Sequence, residues 1–403
     1  MRPGFIVTLN DEKRADFKLF FPHQSLIKVA HITDLYTVIF MGKLYYKNRI
    51  KGEELSDIEL ILNLFKTGEI EALTQLEGEF SYIIIDYQKQ RILASRDPLG
   101  TYPIYWTYYQ QEIVLTTHLK KLASSQNNVI NKDFLASFIT FPFACVEMPT
   151  EQTAFKHIYR ILPGNLLQFN LEQTVKKLWS WDWYQNITPI AKISSQEAGF
   201  QFREILEKAI QERINNHTFA AHLSGGMDSS SIVCLARKLS KNQPLITLSL
   251  VYQLPSLIKE TDYINLILQQ DKEIIPYYVD GDQALDFSWF QDTIPDHDEP
   301  YSGLFHFALE KALIDVISDL NIETILTGNG AEMLVEGNHY YLADLMRQGN
   351  WVKLWENGRQ WAIANRQSLR SVLWEYAIAL LTPPWLRQGI PLLLRNGYSV
   401  WPQ

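Results

Sequence analysis

The chain has 403 residues, 46% hydrophobic and 13% aromatic, which gives room for roughly two to three domains with sizeable buried cores. A net charge of -8 without long runs of one sign excludes a broad basic face, so no nucleic-acid partner is expected and any bound anion must be gripped locally. Cys145 and Cys234 alone exclude a disulfide framework, and the opening MRPGFIVTLNDEKR lacks an apolar signal core, so a cytoplasmic location is expected.

From residue 1 to about 170 the chain reads as short strands separated by turn signals: FIVTL, TVIFMGKLYY, FSYIIIDY, RILASRD, PIYWTYY, EIVLTT and GNLLQFN. One helix is expected around 56–66, which makes this half a β-rich α+β layered structure. The stretch 178–198, LWSWDWYQNITPIAKISSQEA, reads as a linker whose aromatics Trp179, Trp181 and Trp183 pack on a neighbouring domain. A second domain follows, because Phe202, Ile205, Leu206, Ala209, Ile210 and Ile214 recur at helical spacing with charges between them. Strand-like FAAHL, LITLSLV, EIIPYYV and ETILTG then alternate with expected helices at 229–240, 260–270 and 303–319, the pattern of a parallel sheet with crossover helices. The late apolar stretch Tyr376 to Leu386 is broken by Pro383 and Pro384 and is too short to cross a bilayer.

The chemistry concentrates in HLSGGMDSSSIV, residues 222–233, between the apolar FAAHL and the helical stripe Ile232, Leu235, Ala236 and Leu239. Gly225 and Gly226 let backbone N–H groups turn inward, and Ser224, Ser229 and Ser230 add hydroxyls at a helix N-terminus, where the dipole favours an anion. This is a phosphate cradle. It is not a P-loop, since Asp228 stands where GxxxxGK[ST] would place its lysine. A carboxylate beside phosphates needs a cation between them, which makes Asp228 a candidate Mg2+ ligand; its other reading is an ordinary N-cap, which would not call for the preceding glycine pair.

Ser224-Gly225-Gly226-Met227-Asp228-Ser229 resembles the SGGxDS pyrophosphate loop, and the order of motifs resembles the asparagine synthetase family with its relatives, β-lactam synthetase and lasso-peptide macrolactam cyclases. LEGEFSYIIID (76–86) and RDPLGTYPIYW (96–106) are similar to the amidotransferase patterns LxGxFAxxxxD and RDxxGxxPLYY. ILPGNLLQF and LWSW resemble the exit from that domain, and HDEPY (297–301) and ILTGNGAEML (325–334) stand where the family has DEP and SGxGxDE. The resemblance implies an Ntn-type amidotransferase-like sandwich over 1–177, a linker over 178–198, and an α/β ATP-pyrophosphatase domain of the adenine nucleotide alpha hydrolase type over 199–403. It also implies that the chain ends short of the family's helical extension, with Lys353 its last lysine and no motif placing that lysine in the site.

The same resemblance implies ATP with its pyrophosphate on Ser224, Gly225, Gly226, Asp228, Ser229 and Ser230, and adenine against the strand at Leu248 and Ser249. Gly328 would bring backbone close to the nucleotide, Asp228 and Glu332 would be the catalytic carboxylates holding Mg2+, and Asp298-Glu299-Pro300 would line the cleft. Asn329, Glu332 and Met333 replace the family's acid, Asp and Glu, and the extra methylene of Glu332 moves its oxygens by roughly 1 Å. Glutaminase members carry a cysteine where this chain has Arg2, and Lys43 and Tyr46 of GKLYYK replace the acid and amide that recognise glutamine. Cys145 lies at the end of that domain and Cys234 is expected to be a small buried residue of the loop helix, so glutaminase activity is expected to be absent.

GNHYYLADLMRQGNW (337–351) and TPPWLRQ (382–388) resemble the cyclase-type relatives. The resemblance therefore implies a ligase that adenylates a small-molecule or peptide carboxylate for attack by an amine. Lasso-type ring closure of a precursor peptide, beside a companion processing protein, is the expected form. The alternatives are an ammonia-using asparagine synthetase and a non-catalytic nucleotide-binding relative, the latter favoured by the changes at 329, 332 and 333.

Overall fold

The computed structural model of the chain describes residues 4–9, 15–20, 27–32, 35–50, 54–67, 70–109, 112–125, 127, 129–140, 150–170, 174–182, 193–214, 218–240, 243–253, 258–282, 284, 297–300, 307–332 and 340–383. The chain divides into two compact units, Met1–Thr327 and Gly328–Gln403.

The first unit begins with strands β1 (Gly4–Leu9), β2 (Ala15–Phe20), β3 (Ile27–Ile32) and β4 (Tyr36–Tyr45), then helices α1 (Asp57–Lys66) and α2 (Ile70–Leu73). Strands β5 (Glu77–Asp86), β6 (Arg91–Arg96), β7 (Tyr105–Tyr109) and β8 (Glu112–Thr116) follow, with helices α3 (Leu119–Ser125) and α4 (Lys132–Thr140) and strands β9 (Tyr159–Arg160), β10 (Asn165–Asn170) and β11 (Val175–Ser180). They form two antiparallel sheets, ordered β2-β1-β8-β7-β9 and β11-β10-β6-β5-β4-β3.

Alternation along β4 and β5 explains the layering. Ile39, Met41, Ile83 and Ile85 face Phe5, Val7 and Leu115 of the other sheet. Val38, Phe40, Tyr82 and Ile84 face the opposite way, onto Leu60 and Ile61 of α1. Covered on both faces, the later part of β5, Tyr82–Ile85, reads in sequence as an apolar run rather than an alternating one. Helix α1 starts at a capping box, in which Ser56 accepts from the Glu59 amide and the Glu59 carboxylate accepts from the Ser56 amide.

The RDPLG stretch closes the sandwich. Asp97 is fully buried and accepts hydrogen bonds from the amides of Phe80 (3.1 Å), Leu99 (2.8 Å), Gly100 (2.9 Å) and Thr101 (2.9 Å). The Arg96 guanidinium donates to the carbonyls of Tyr102, Ile161 and Gly100, and burial pulls its pKa down to about 10. Trp179 lies in β11 opposite Leu166 and packs on the α1 side of the sheet, while Trp183 falls outside the described residues.

Helix α5 (Ser195–Ile214) leads into a four-stranded, all-parallel sheet of β12 (Phe219–His222), β13 (Leu245–Val251), β14 (Ile274–Asp280) and β15 (Thr324–Leu326), ordered β14-β13-β12-β15. Between its strands run α6 (Met227–Leu239), α7 (Ile258–Leu268) and α8 (Phe307–Asp319). Only the C-terminal part of the expected α5 stripe reaches the core: Ile210 and Ile214 are buried, whereas Phe202 and Ile205 are exposed.

The second unit contains α9 (Tyr341–Arg347), α10 (Trp351–Ala364) and α11 (Leu369–Leu373) around Leu342, Leu354, Ala362, Val372 and Ala377. Among the described residues no helix is long and apolar enough to cross a membrane.

Replacing Asp97 by Ala leaves the amides of Phe80, Leu99 and Thr101 without their acceptor, while Gly100 keeps the residue-97 carbonyl, and we expect it to lower unfolding free energy by about 2–4 kcal/mol in urea titrations.

Candidate functional site

The central strand β12 turns into α6 through Leu223–Gly226, at the carboxyl edge of the sheet where ligands bind in open α/β folds. The turn is rooted in β13. The Leu223 amide donates to the Leu248 carbonyl (2.9 Å), and the Ser249 hydroxyl donates to the Leu223 carbonyl (2.7 Å). Leu248 and Ser249 are both 1% exposed, and these polar groups brace the loop root.

Gly225 has a φ of +79°, and a Cβ there would stand 2.8 Å from the Tyr263 Cβ and 3.0 Å from the Glu260 carbonyl of α7. Both the left-handed turn and the close approach of α7 therefore require glycine. Gly226 differs. Its φ is -69°, and a Cβ would touch nothing nearer than the Ser224 hydroxyl at 3.4 Å. It caps α6 without a side-chain bond, so the first-turn amides carry no internal cap.

The serines divide their tasks. Ser229 is buried; its hydroxyl accepts from the Ser224 amide (3.2 Å), meets the Ser224 hydroxyl (2.9 Å) and lies 3.3 Å from the Gly226 carbonyl. These contacts hold the loop shape. The Ser230 hydroxyl is buried and has no hydrogen-bond partner among the described residues. Asp228, partly buried in the first turn of α6, makes no ion pair or hydrogen bond among the described residues. The loop thus presents uncapped amides, one unspent hydroxyl and one unspent carboxylate, the donor set an anion with a cation beside it requires.

His222, at the end of β12, escaped the sequence reading. Its Nε2 is buried without a partner among the described residues, and burial holds its pKa below the ordinary histidine value, so the ring is neutral near pH 7. The available signal was one polar residue ending an otherwise apolar strand.

Asp298 and Glu299 reach the antiparallel sandwich. Glu299 accepts from Arg160 (2.7 Å), the Ala154 amide (3.4 Å) and the Tyr105 hydroxyl (3.4 Å), all of the antiparallel sandwich. Burial raises its pKa while the Arg160 charge opposes the rise. Asp298 accepts from the Lys120 amide (3.4 Å). Gly328 and Glu332 belong to the second unit, where Gly328 accepts from the Ala331 amide (3.1 Å) and Glu332 is exposed. Among the described residues no three His, Cys, Asp or Glu side chains gather as a metal cluster. Cys234 is free and exposed, against the expectation of burial, because it lies on the outer side of α6 from Val233 and Ala236; Cys145 and Met333 lie outside the described residues.

A layered Ntn-type sandwich followed by a parallel sheet with this loop defines a glutamine amidotransferase-like domain joined to a nucleotide-binding domain. Family models agree: one described as a glutamine amidotransferase domain matches residues 30–180, and one described as asparagine synthase matches 201–394. The chain belongs to the asparagine synthetase family. It is 23% identical over 319 residues to a putative glutamine-hydrolysing asparagine synthetase of Methanocaldococcus jannaschii, covering 74% of this chain and 58% of the relative. It is 25% identical over 353 residues to the amidase chyE of Penicillium rubens, covering 79% and 50%, and 26% identical over 226 residues to asparagine synthetase 1 of Bacillus subtilis, covering 52% and 34%. The chain spans about half the length of the first two curated relatives it matches.

The two glycines should separate folding from binding. Gly225→Ala is expected to cost about 1–3 kcal/mol in urea unfolding, whereas Gly226→Ala, which loses only a preferred N-cap residue, should cost less than about 1 kcal/mol.

Proposed function

We propose that the chain is an ATP-dependent amide-bond-forming ligase that does not hydrolyse glutamine, and that both the carboxylate and the amine come from a peptide substrate, as in macrolactam closure. The observation that carries this reading is the Gly225–Ser230 turn, whose uncapped helix amides and unspent Ser230 hydroxyl suit a pyrophosphate. Family membership supports the reaction class.

ATP would supply the adenylyl group that activates the carboxylate and the leaving pyrophosphate. The Gly225 turn and first-turn amides would hold the phosphate tail, and Ser230 would donate its free hydroxyl to it. Asp228, free among the described residues, would ligate Mg2+ together with phosphate oxygens, a set in which one or two carboxylates suffice. Glu332, the other carboxylate expected from the sequence, is exposed within the second unit. Leu248 and Ser249 would bound the adenine with the strand edge whose loop root they brace. Excluding water from the activated acyl group is the remaining demand on the protein.

The absence of glutamine hydrolysis is supported by Lys43 and Tyr46, at the positions where the family resemblance puts glutamine recognition. The Lys43 ammonium donates to the Glu212 carbonyl (3.3 Å), and the Tyr46 amide donates to the Glu212 carboxylate (3.2 Å). An amine within the substrate then replaces released ammonia. A precursor peptide and a companion processing protein are the partners this reading requires.

Carboxylate-dependent ATP–pyrophosphate exchange tests the reaction class. Asp228→Ala is expected to reduce exchange at least about 100-fold, or about 2.7 kcal/mol, with the melting temperature within about 2 °C of the parent. Exchange at the parental rate would remove Asp228 from the site, and no exchange by the parent with any candidate precursor would remove the ligase. Incubation with glutamine is expected to release no glutamate, and asparagine formed from aspartate, ATP and ammonium would select the asparagine synthetase reading instead.

A further inference from the structure

We infer that the strip at the end of β4 is a latch that seats helix α5 and, through it, the phosphate-binding turn, so that Lys43, Glu79, Glu212 and Arg213 are positioning residues. The inference deepens the proposed function by assigning the altered amidotransferase domain a role in that site.

Consecutive residues of the last turn of α5, Glu212 and Arg213, each bond to the sandwich. Glu212 takes the Lys43 ammonium on its carbonyl and the Tyr46 amide on its carboxylate. Arg213 donates to Glu79 through Nε (3.2 Å) and Nη2 (3.1 Å), and its guanidinium lies 4.4 Å from the Tyr45 ring centroid. Backbone shape serves the same contact: Tyr46 has a φ of 53°, a left-handed conformation that costs a non-glycine residue energy, at the residue whose amide reaches Glu212. Burial lowers the Lys43 pKa, while Asp57, Glu212 and Glu79 act to keep its charge.

The other face of α5 reaches the loop. Ile210 and Ile214 pack in the core with Val233 and Ala236 of α6, and Glu207 pairs with Lys238 of α6 at 3.0 Å. Helix α6 begins at the turn itself, and α5 also packs on β15 beside β12. A helix bolted on one side to the sandwich and on the other to α6 leaves the turn little freedom to shift against its root in β13. Polar pairs part-exposed at such a seam add little stability singly, so their value here is in orientation.

Hydrogen–deuterium exchange on the full chain tests the latch without requiring catalysis. Arg213→Glu, which sets two carboxylates against each other, is expected to speed exchange of peptides over 219–230 at least about fivefold. Adding Glu79→Arg to the same chain is expected to restore parental exchange. Glu212→Ala, which removes one hydrogen bond and no core volume, is expected to change the same peptides in the same direction and guards against a misfolded charge reversal. Parental exchange over 219–230 in both Arg213→Glu and Glu212→Ala would overturn the latch, as would failure of the reversed pair to restore it. If the parent binds Mg-ATP, the rescued pair should also recover nucleotide affinity; if the parent binds none, the proposed function fails and the exchange data still decide the latch.

Discussion

The tie between Leu223 and β13 is the constraint on which the site rests. A chain leaving the middle of a parallel sheet must reverse toward its helix within a few residues, and here the Leu248 carbonyl and Ser249 hydroxyl hold both polar groups of Leu223 while it does so. With the root fixed, the next turn falls under α7, and only a residue without a Cβ fits between Glu260 and Tyr263 in the left-handed conformation. The Ser224–Ser229 pair then closes the loop on itself, which leaves the first-turn amides of α6, the Ser230 hydroxyl and the Asp228 carboxylate without partners among the described residues.

Much of this was legible in the sequence because it rests on local chemistry. The glycine pair, the serines and the alternating strand and helix patterns locate the loop and the parallel sheet, and the capping box marks α1. The strands that escaped notice, β2, β3, β9 and β11, share one property: each lies at a sheet edge. Their Asp16, Lys18, Lys28, Lys176 and Lys177 dilute the apolar pattern, and charge at an edge discourages pairing with another chain. The exposed half of α5 misled for the complementary reason, since Phe202 and Ile205 keep helical spacing yet are exposed.

What sequence could not give was the division of labour among similar residues. The two glycines and the three serines look alike in a string, yet Gly225 and Ser229 build the turn while Gly226 and Ser230 leave it open. The acidic motif at 298–299, expected to line the cleft, has carboxylates that meet Arg160, Ala154, Tyr105 and Lys120 of the sandwich. Long-range pairing of this kind has no local signature. The N-terminal domain therefore contributes through contacts made by Lys43, Tyr46, Glu79 and Arg160.

Calorimetric titration of Mg-ATP into Gly226→Val, alongside the parent, tests the central claim most directly. The parent should bind, and the variant, which has room for a Cβ in its own fold, should fold normally yet lose at least about tenfold in affinity because its branched methyls occupy the space assigned to phosphate. Equal affinity in the two proteins would show that the nucleotide does not sit on this turn.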